Sequence, residues 1–341
     1  DYDTVYVGKW HLPSSFTHKI PGFTVLTPGV SSQGNLGDTS TSRACEGYLR
    51  NRPEDKPFLM VASFFQPHDI CQWLRINQAD PGKLRYPELA DELPPLPPNF
   101  EFDSKEPAPI RRDRDRNEPG AKKGKWSKLH WRYYIWSYYR HIEMVDAEVG
   151  RVLDALEDTG LADNTLVIFT SDHGEGLARH QLVRKSKLYD EAVKVPMIVS
   201  LPGRAKKDAV DSTHLVSGLD VVPTVCDYLG IQAPPMSHGR SLRGVVEGSE
   251  TNWRPFVGSD VSTNGTPGRM IRSRQYKYVA YKGCDVEQLF DVQADPHETK
   301  NLAANAKFAS VLRDHRKMLA KWESKLTIAP TVPKEARWPV A

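Results

Sequence analysis

The sequence predicts an α/β fold, a sheet covered by helices, on two observations. Short apolar runs of strand length alternate with longer segments of helical period. Each apolar run is followed by polar residues suited to chemistry, and in open α/β sheets ligands bind at the carboxyl ends of the strands. A length of 341 residues exceeds one ordinary domain and points to two units, or to one large α/β unit with a small appendage. Hydrophobic residues at 39% and charged residues at 26% describe a globular chain. A mean hydropathy of -0.53 and the lack of any apolar run near the roughly 18 residues that span a bilayer exclude a transmembrane helix. Four cysteines exclude a disulfide scaffold. With 46 basic and 43 acidic residues, a net charge of +3 argues against nucleic acid or a membrane surface as the main partner. None of these numbers encodes the oligomeric state.

Four runs read as strands: residues 4–7, 58–65, 165–170 and 195–200. The first lies almost at residue 1, so the chain is expected to be a fragment whose opening residues already sit in a core strand. The best helix runs from Trp131 to Thr159, where Tyr134, Tyr138, Ile142, Val145, Val149, Val152 and Leu156 recur at spacings of three and four and Gly160 supplies a stop. A second covers Leu215 to Leu229, with Pro223 kinking it or setting its first turn. Between residues 80 and 128 nine prolines argue against regular structure, and the Arg111–Arg116 run with Lys122, Lys123 and Lys125 makes the end of this surface excursion basic. It is either a solvated loop or an electropositive rim that draws in an anionic substrate. From about residue 253 the texture becomes antiparallel, with strand-like pieces at 270–272, 276–281 and 287–291 and a closing amphipathic helix near Phe308–Trp322. The expected division is therefore 1–252 and 253–341.

The residues suited to chemistry follow the apolar runs. Gly8-Lys9-Trp10-His11 follows the first, and Lys9 and His11 can both enter one crevice once the strand has ended; a lone histidine beside a glycine is equally a structural hydrogen bonder. His68, in Gln66-Pro-His-Asp69, is presented by a proline-fixed turn and reads as a turn cap or as a general acid or base. Asp172 and His173, in Ser171-Asp-His-Gly-Glu175, are a carboxylate and an imidazole suited to a divalent metal, although Asp172 could also cap the following segment. Lys185, flanked by Arg184 and Lys187, could hold a fixed positive charge over a tetrahedral anion. This inventory suits sulfuryl or phosphoryl transfer, and it lacks a nucleophile and enough carboxylates for a cation.

These motifs together resemble the formylglycine-dependent sulfatases of the alkaline phosphatase superfamily. The resemblance rests on six segments in order: Asp3-Thr-Val-Tyr-Val-Gly-Lys-Trp-His-Leu12, Gln66-Pro-His-Asp69, Thr170-Ser-Asp-His-Gly-Glu175, the run from His180 through Lys185 and Tyr189-Asp-Glu to Val195-Pro196, Ser217-Gly-Leu-Asp-Val-Val-Pro-Thr224, and Gln288–Glu298 with Asn301-Leu. It implies an alkaline-phosphatase-like mixed sheet sandwiched by helices, with a small C-terminal α+β subdomain. It also implies a sulfuric ester hydrolase acting on an organic sulfate, a carbohydrate being the reasonable guess. By the same resemblance Lys9 and Lys185 bind the sulfate oxygens, with His180 in the substrate-binding set. His11 orients or deprotonates the hydrated aldehyde nucleophile, His68 with Lys185 protonates the leaving oxygen, and Asp172 and His173 ligate a divalent cation, calcium or else manganese.

Four departures qualify it. None of Cys45, Cys71, Cys226 or Cys284 lies in the family's C/S-x-P-x-R motif, and the family's Asp-Asp metal pair is missing, so formylglycine and that pair are expected upstream of residue 1 and the chain by itself is expected to be inactive. Ile70 stands where the family has a second proline after the histidine, and Arg184 replaces the usual glycine before Lys185. The alternatives are a phosphodiesterase or phosphonate hydrolase of the same superfamily, or a non-catalytic binder of sulfated glycans using residues 111–128. The family resemblance places the protein in the periplasm, outside the cell or in a lysosome.

Overall fold

A computed structural model describes residues 2–11, 19–29, 33–79, 86–117, 126–235 and 237–326. In chain order the elements are β1 (Asp3–Gly8), β2 (Thr24–Pro28), α1 (Gly34–Asn51), β3 (Phe58–Ser63), α2 (Ile70–Ala79), α3 (Ala108–Asn117), α4 (Lys128–Asp158), β4 (Val167–Thr170), α5 (Asp190–Val193), β5 (Met197–Ser200), α6 (Val221–Tyr228), α7 (Arg243–Glu247), β6 (Phe256–Thr263), β7 (Thr266–Ser273), β8 (Tyr276–Tyr281), β9 (Gln288–Asp291) and α8 (Ala309–Glu323). They fall into two compact units, one within residues 1–95 and 127–165, the other within 96–126 and 166–329.

In the first unit β1 is the middle strand of a three-stranded parallel sheet, β2-β1-β3, with Val5 opposite Met60 on one side and Thr24 on the other. Strands buried on both faces read as unbroken apolar runs, and Val5, Tyr6 and Val7 are indeed all buried. The run 58–65 is two residues longer than the strand it forms. Phe65 leaves the ladder because its amide donates to the Asp38 carboxylate of α1, 2.6 Å away, instead of to a neighbouring strand.

Three elements of this unit carry little sequence signal: β2, α2 and α1. The buried positions of α1 include Asp38, Thr41, Ser42, Cys45 and Leu49, so its inward face is mostly small and polar and leaves almost no apolar stripe. It is held instead by hydrogen bonds, among them Ser42 and Thr39 donating to Glu148 of α4. The long helix α4 starts three residues before Trp131, where the Ser127 side chain accepts from the His130 amide and caps it. Its stripe is buried at Tyr134, Val152 and Leu156, while Ile142 in the middle is exposed.

The second unit corrects the expectation for residues 80–128, which is not free of regular structure. Residues 108–117 form α3, because Pro109 falls in the first turn, where its missing N–H would have had no partner anyway; Pro87 likewise opens a short 3-10 turn in the first unit. Pro223 sets the first turn of α6 and does not kink it. β4 and β5 pair antiparallel, and β6-β7-β8-β9 form an antiparallel meander. Its first hairpin turns on Asn264-Gly265, with φ of 48° and 82°, the left-handed pair that a tight two-residue turn demands.

The meander separates two layers. Met270, Val279, Tyr281 and Phe290 pack on Ile110 of α3 and on Leu182, Leu188 and Tyr189, while Tyr278 and Leu289 pack on Leu312 of α8. Fully burying each such side chain is worth about 1.5–3 kcal/mol, so the meander is a firm wall for the segment 182–189 laid along it. Among the described residues no helix is long and apolar enough to cross a membrane.

Candidate active site

In the first unit the sheet places Lys9 and His68 at the carboxyl end of its strands. Gly8 turns the chain with a φ of 101°, and a Cβ there would meet the Ser63 carbonyl oxygen at 2.1 Å, so glycine is required. The Lys9 amide still donates to Ser63, at 2.8 Å, which continues the ladder one residue past β1. The Lys9 ammonium lies 5.3 Å from the centroid of the Phe65 ring. The His68 ring sits 4.6 Å from the same ring, tilted by 54°.

The turn that carries His68 is clamped by two carboxylates. Asp38 accepts from the amides of Phe65 and Gln66 at 2.6 and 2.8 Å, and burial pushes its carboxyl up while those hydrogen bonds pull the other way. Asp69 accepts from Gln33 and Gly34 at the start of α1, at 3.1 and 2.7 Å, placing an anion where the helix dipole favours one. His11 is exposed, at the end of a described segment.

In the second unit Asp172 and His173 follow β4. The His173 amide donates to Asp172 Oδ1 at 3.0 Å, and His173 Nε2 lies 3.6 Å from Asp172 Oδ2. His173 Nδ1 lies 2.8 Å from the Gly174 carbonyl, which fixes the proton on Nδ1 and leaves the Nε2 lone pair facing the carboxylate side. That is the arrangement in which an imidazole and a carboxylate can share one divalent ion. It supplies two donors; among the described residues no group of three or more His, Cys, Asp or Glu side chains is placed to hold a metal.

The segment around Asp172 and His173 is stitched to residues 182–192. Gly174 and Glu175 donate to the carbonyls of Ala192 and Glu191, both at 2.9 Å, Gly176 donates to Arg184, and the Glu175 carboxylate accepts from the Arg184 amide. A Cβ on Gly174 would meet the Glu191 carbonyl oxygen at 2.0 Å, so this approach needs glycine. The segment has an unusual backbone: Leu177, Ala178, His180, Gln181, Arg184 and Ser186 all have φ between 47° and 72°. Each such non-glycine residue costs of order 1–2 kcal/mol, so the loop persists only because its surroundings over-determine it. The left-handed φ of 65° at Arg184 gives the physical reason why a glycine is the natural occupant there.

Lys185 and Lys187 have different fates. Lys187 is buried, 2.9 Å from Asp113 and donating to the Val183 carbonyl, so it is structural. Lys185 is half-buried and its ammonium makes no hydrogen bond or ion pair with the described residues. His180 is 4% exposed and stacks on Tyr189 at 4.2 Å, with Nε2 3.2 Å from the Asn99 side-chain amide and 3.9 Å from Glu191. Burial, with Lys277 nearby, pushes its imidazole down to about 4, so it is neutral near pH 7.

Sequence reasoning missed the buried polar network beneath this loop. The Tyr189 hydroxyl donates to Glu106, and the Gln288 amide reaches both at 2.9 Å. Lys277, fully buried, lies 2.8 Å from Asp190 and 2.6 Å from Glu298. Burial opposes its charge, and the two carboxylates outweigh burial and hold it protonated. Burial pushes Glu106 and Glu191 up to about 7. Tyr189, Asp190, Glu191, Gln288 and Glu298 of this set lay in recognised segments; Asn99, Glu106 and Lys277 come from segments with no local signal.

The chain matches the family profile described as Sulfatase over residues 1–231 and the profile described as N-sulphoglucosamine sulphohydrolase, C-terminal, over residues 178–325. A Delta 4,5-hexuronate-2-O-sulfatase of Bacteroides thetaiotaomicron is 34% identical over 333 residues, taking in 93% of this chain and 68% of that protein. The chain spans 55% and 62% of two other curated relatives. A solved 2-O GAG sulfatase superposes with a TM-score of 0.83 at 31% identity, over 95% of this chain and 72% of that one. A phosphonate monoester hydrolase of Agrobacterium radiobacter superposes with a TM-score of 0.76 at 22% identity, over 95% and 78%, and shares the fold.

Proposed function

This chain belongs to the sulfatase family, on an alkaline-phosphatase-like α/β fold, and on that premise we propose that it serves the hydrolysis of a carbohydrate sulfate ester, the 2-O-sulfate of a hexuronate. The observation that carries the reading is the placing of Lys9 and His68 on one aromatic ring at the carboxyl end of the parallel sheet. The substrate is taken from two relatives that align with more than nine-tenths of this chain, a hexuronate 2-O-sulfatase at 34% identity and a 2-O GAG sulfatase at 31%.

Family members generally use a formylglycine nucleophile and a divalent cation. Asp172 and His173 are the residues that would hold such an ion here, calcium by preference for the carboxylate, and it would supply a fixed positive charge beside the sulfate. The chain's own residues do the rest. Lys9 and Lys185 bind the sulfate oxygens; a cation about 4 Å from a unit anion is worth about 4 kcal/mol at an effective dielectric near 20, enough to set both affinity and orientation. His11 takes the proton of the attacking hydroxyl. His68, with Lys185, delivers a proton to the leaving sugar oxygen, which must leave as an alcohol. His180 is neutral and buried, so its part is to fix the loop that presents Lys185, through Asn99 and Tyr189. The same reading places the protein outside the cytoplasm, where polymeric sulfated sugars are met.

Calorimetric titration with a 2-O-sulfated unsaturated uronate disaccharide and with its desulfated form tests the substrate class. The sulfated sugar is expected to bind at least about tenfold tighter, the share of one good charge-assisted contact. Equal affinity for the two would refute it.

A further inference from the structure

Phe65 is a buried ring just past the end of β3. Its side chain is 5% exposed, yet two polar groups lean on it: the Lys9 ammonium, 5.3 Å from the ring centroid, and the His68 imidazole, 4.6 Å away. We propose that Phe65 is a positioning residue, one ring holding both the cation and the imidazole at the end of the parallel sheet. The inference rests on the functional reading of Lys9 and His68 given above.

The ring is fixed from three sides. Its backbone amide donates to the buried Asp38 carboxylate at 2.6 Å, and its carbonyl accepts from the His68 amide at 3.1 Å. A Cβ on Gly34 would come within 3.0 Å of the ring's Cδ1, so the first residue of α1 leaves just enough room for the ring edge. Gly34 is in turn held by Asp69, one residue past His68. The same α1-to-turn contacts therefore set ring and imidazole together.

The chemistry of the pairing is electrostatic. The negative face of an aromatic ring attracts an ammonium, and it does so without the competition a carboxylate would offer to an incoming sulfate. A carboxylate at this position would neutralise Lys9; a phenyl ring orients it and leaves its charge available. A lysine held in place before binding also loses less side-chain freedom when the anion arrives.

The test replaces Phe65 by phenylalanines of increasing fluorination, which keep the size and apolar character of the ring and drain its negative face. Inorganic sulfate is the probe, with Lys9→Ala and Phe65→Leu alongside. The sulfate dissociation constant is expected to rise with each fluorine step, to about two- to fivefold in the pentafluoro form. A flat series means the ring is only a hydrophobic plug and overturns the inference. In the same samples the Lys9 Hε protons are expected upfield of those of exposed lysines through the ring current, and at the ordinary position in Phe65→Leu. An ordinary Lys9 signal in the native chain overturns the inference whatever sulfate does. An upfield signal together with unweakened sulfate binding in Lys9→Ala leaves the positioning standing and sinks the functional reading of Lys9.

Discussion

Lys9 and His68 on one side, and the segment from Asp172 to Glu191 on the other, carry chemistry on opposite kinds of scaffold. In the first, a parallel strand pair ends and the next residue is already in place: Lys9 continues the ladder to Ser63, and His68 follows three residues after the last phenylalanine of the run. Short-range geometry does most of the work. In the second, six residues stand in left-handed conformations and the loop is kept by buried pairs drawn from residues 99, 106, 277, 288 and 298. The difference teaches that strand ends present side chains almost for nothing, whereas a strained loop needs a network behind it.

The largest test of that contrast is Lys277→Met. It leaves Asp190 and Glu298 buried without their cation, and stability is expected to fall by about 3–5 kcal/mol, read by denaturant unfolding, with hydrogen-exchange protection lost first in residues 177–191. If protection there is unchanged, the network is not what holds the loop.

Next is a pH effect. Glu106 has an ordinary value of 4.5 and is raised to about 7 by burial, so the native state keeps a proton that the unfolded chain has shed in between. Its stabilising contribution is full below pH 4.5 and lost as pH rises through 7. Glu106→Gln does not titrate, so its stability relative to the native protein is expected to rise by up to about 3 kcal/mol from pH 4 to pH 8. His180 and Glu191 titrate alike in both proteins and cancel. A difference that does not change with pH would show Glu106 ionised inside the fold.

The smallest is a backbone effect at Arg184. A β-branched residue tolerates a φ of 65° poorly, so Arg184→Val is expected to be about 1–2 kcal/mol less stable than Arg184→Gly in thermal melts. Equal stability would mean the loop is not strained at this position.

The same contrast explains what the sequence could reveal. Val5–Val7 with Lys9 behind them, Phe58–Ser63 with His68 behind them, and Val167–Thr170 with Asp172 behind them are apolar runs with a chemical residue at their ends, and period and residue type suffice to find them. Helix α1 stayed hidden because its buried face is Asp38, Thr41 and Ser42, which no hydrophobic period reports. Phe65 looked like the last residue of a strand because nothing local tells a ring in a sheet from a ring that has turned out of it to meet Asp38. Helix α3 was masked by its prolines, one of which its first turn welcomes. Arg184 as a departure from glycine was legible; the left-handed backbone that explains it was not.

On the proposed reading Lys9 and Lys185 hold a sulfate group. The most direct measurement is the affinity of Lys9→Ala and of Lys185→Ala for the 2-O-sulfated uronate disaccharide, with the desulfated sugar as control. Each variant is expected to lose about tenfold for the sulfated sugar, one charge-assisted contact, and nothing for the desulfated one. An equal loss for both sugars, or none for either, would contradict the account.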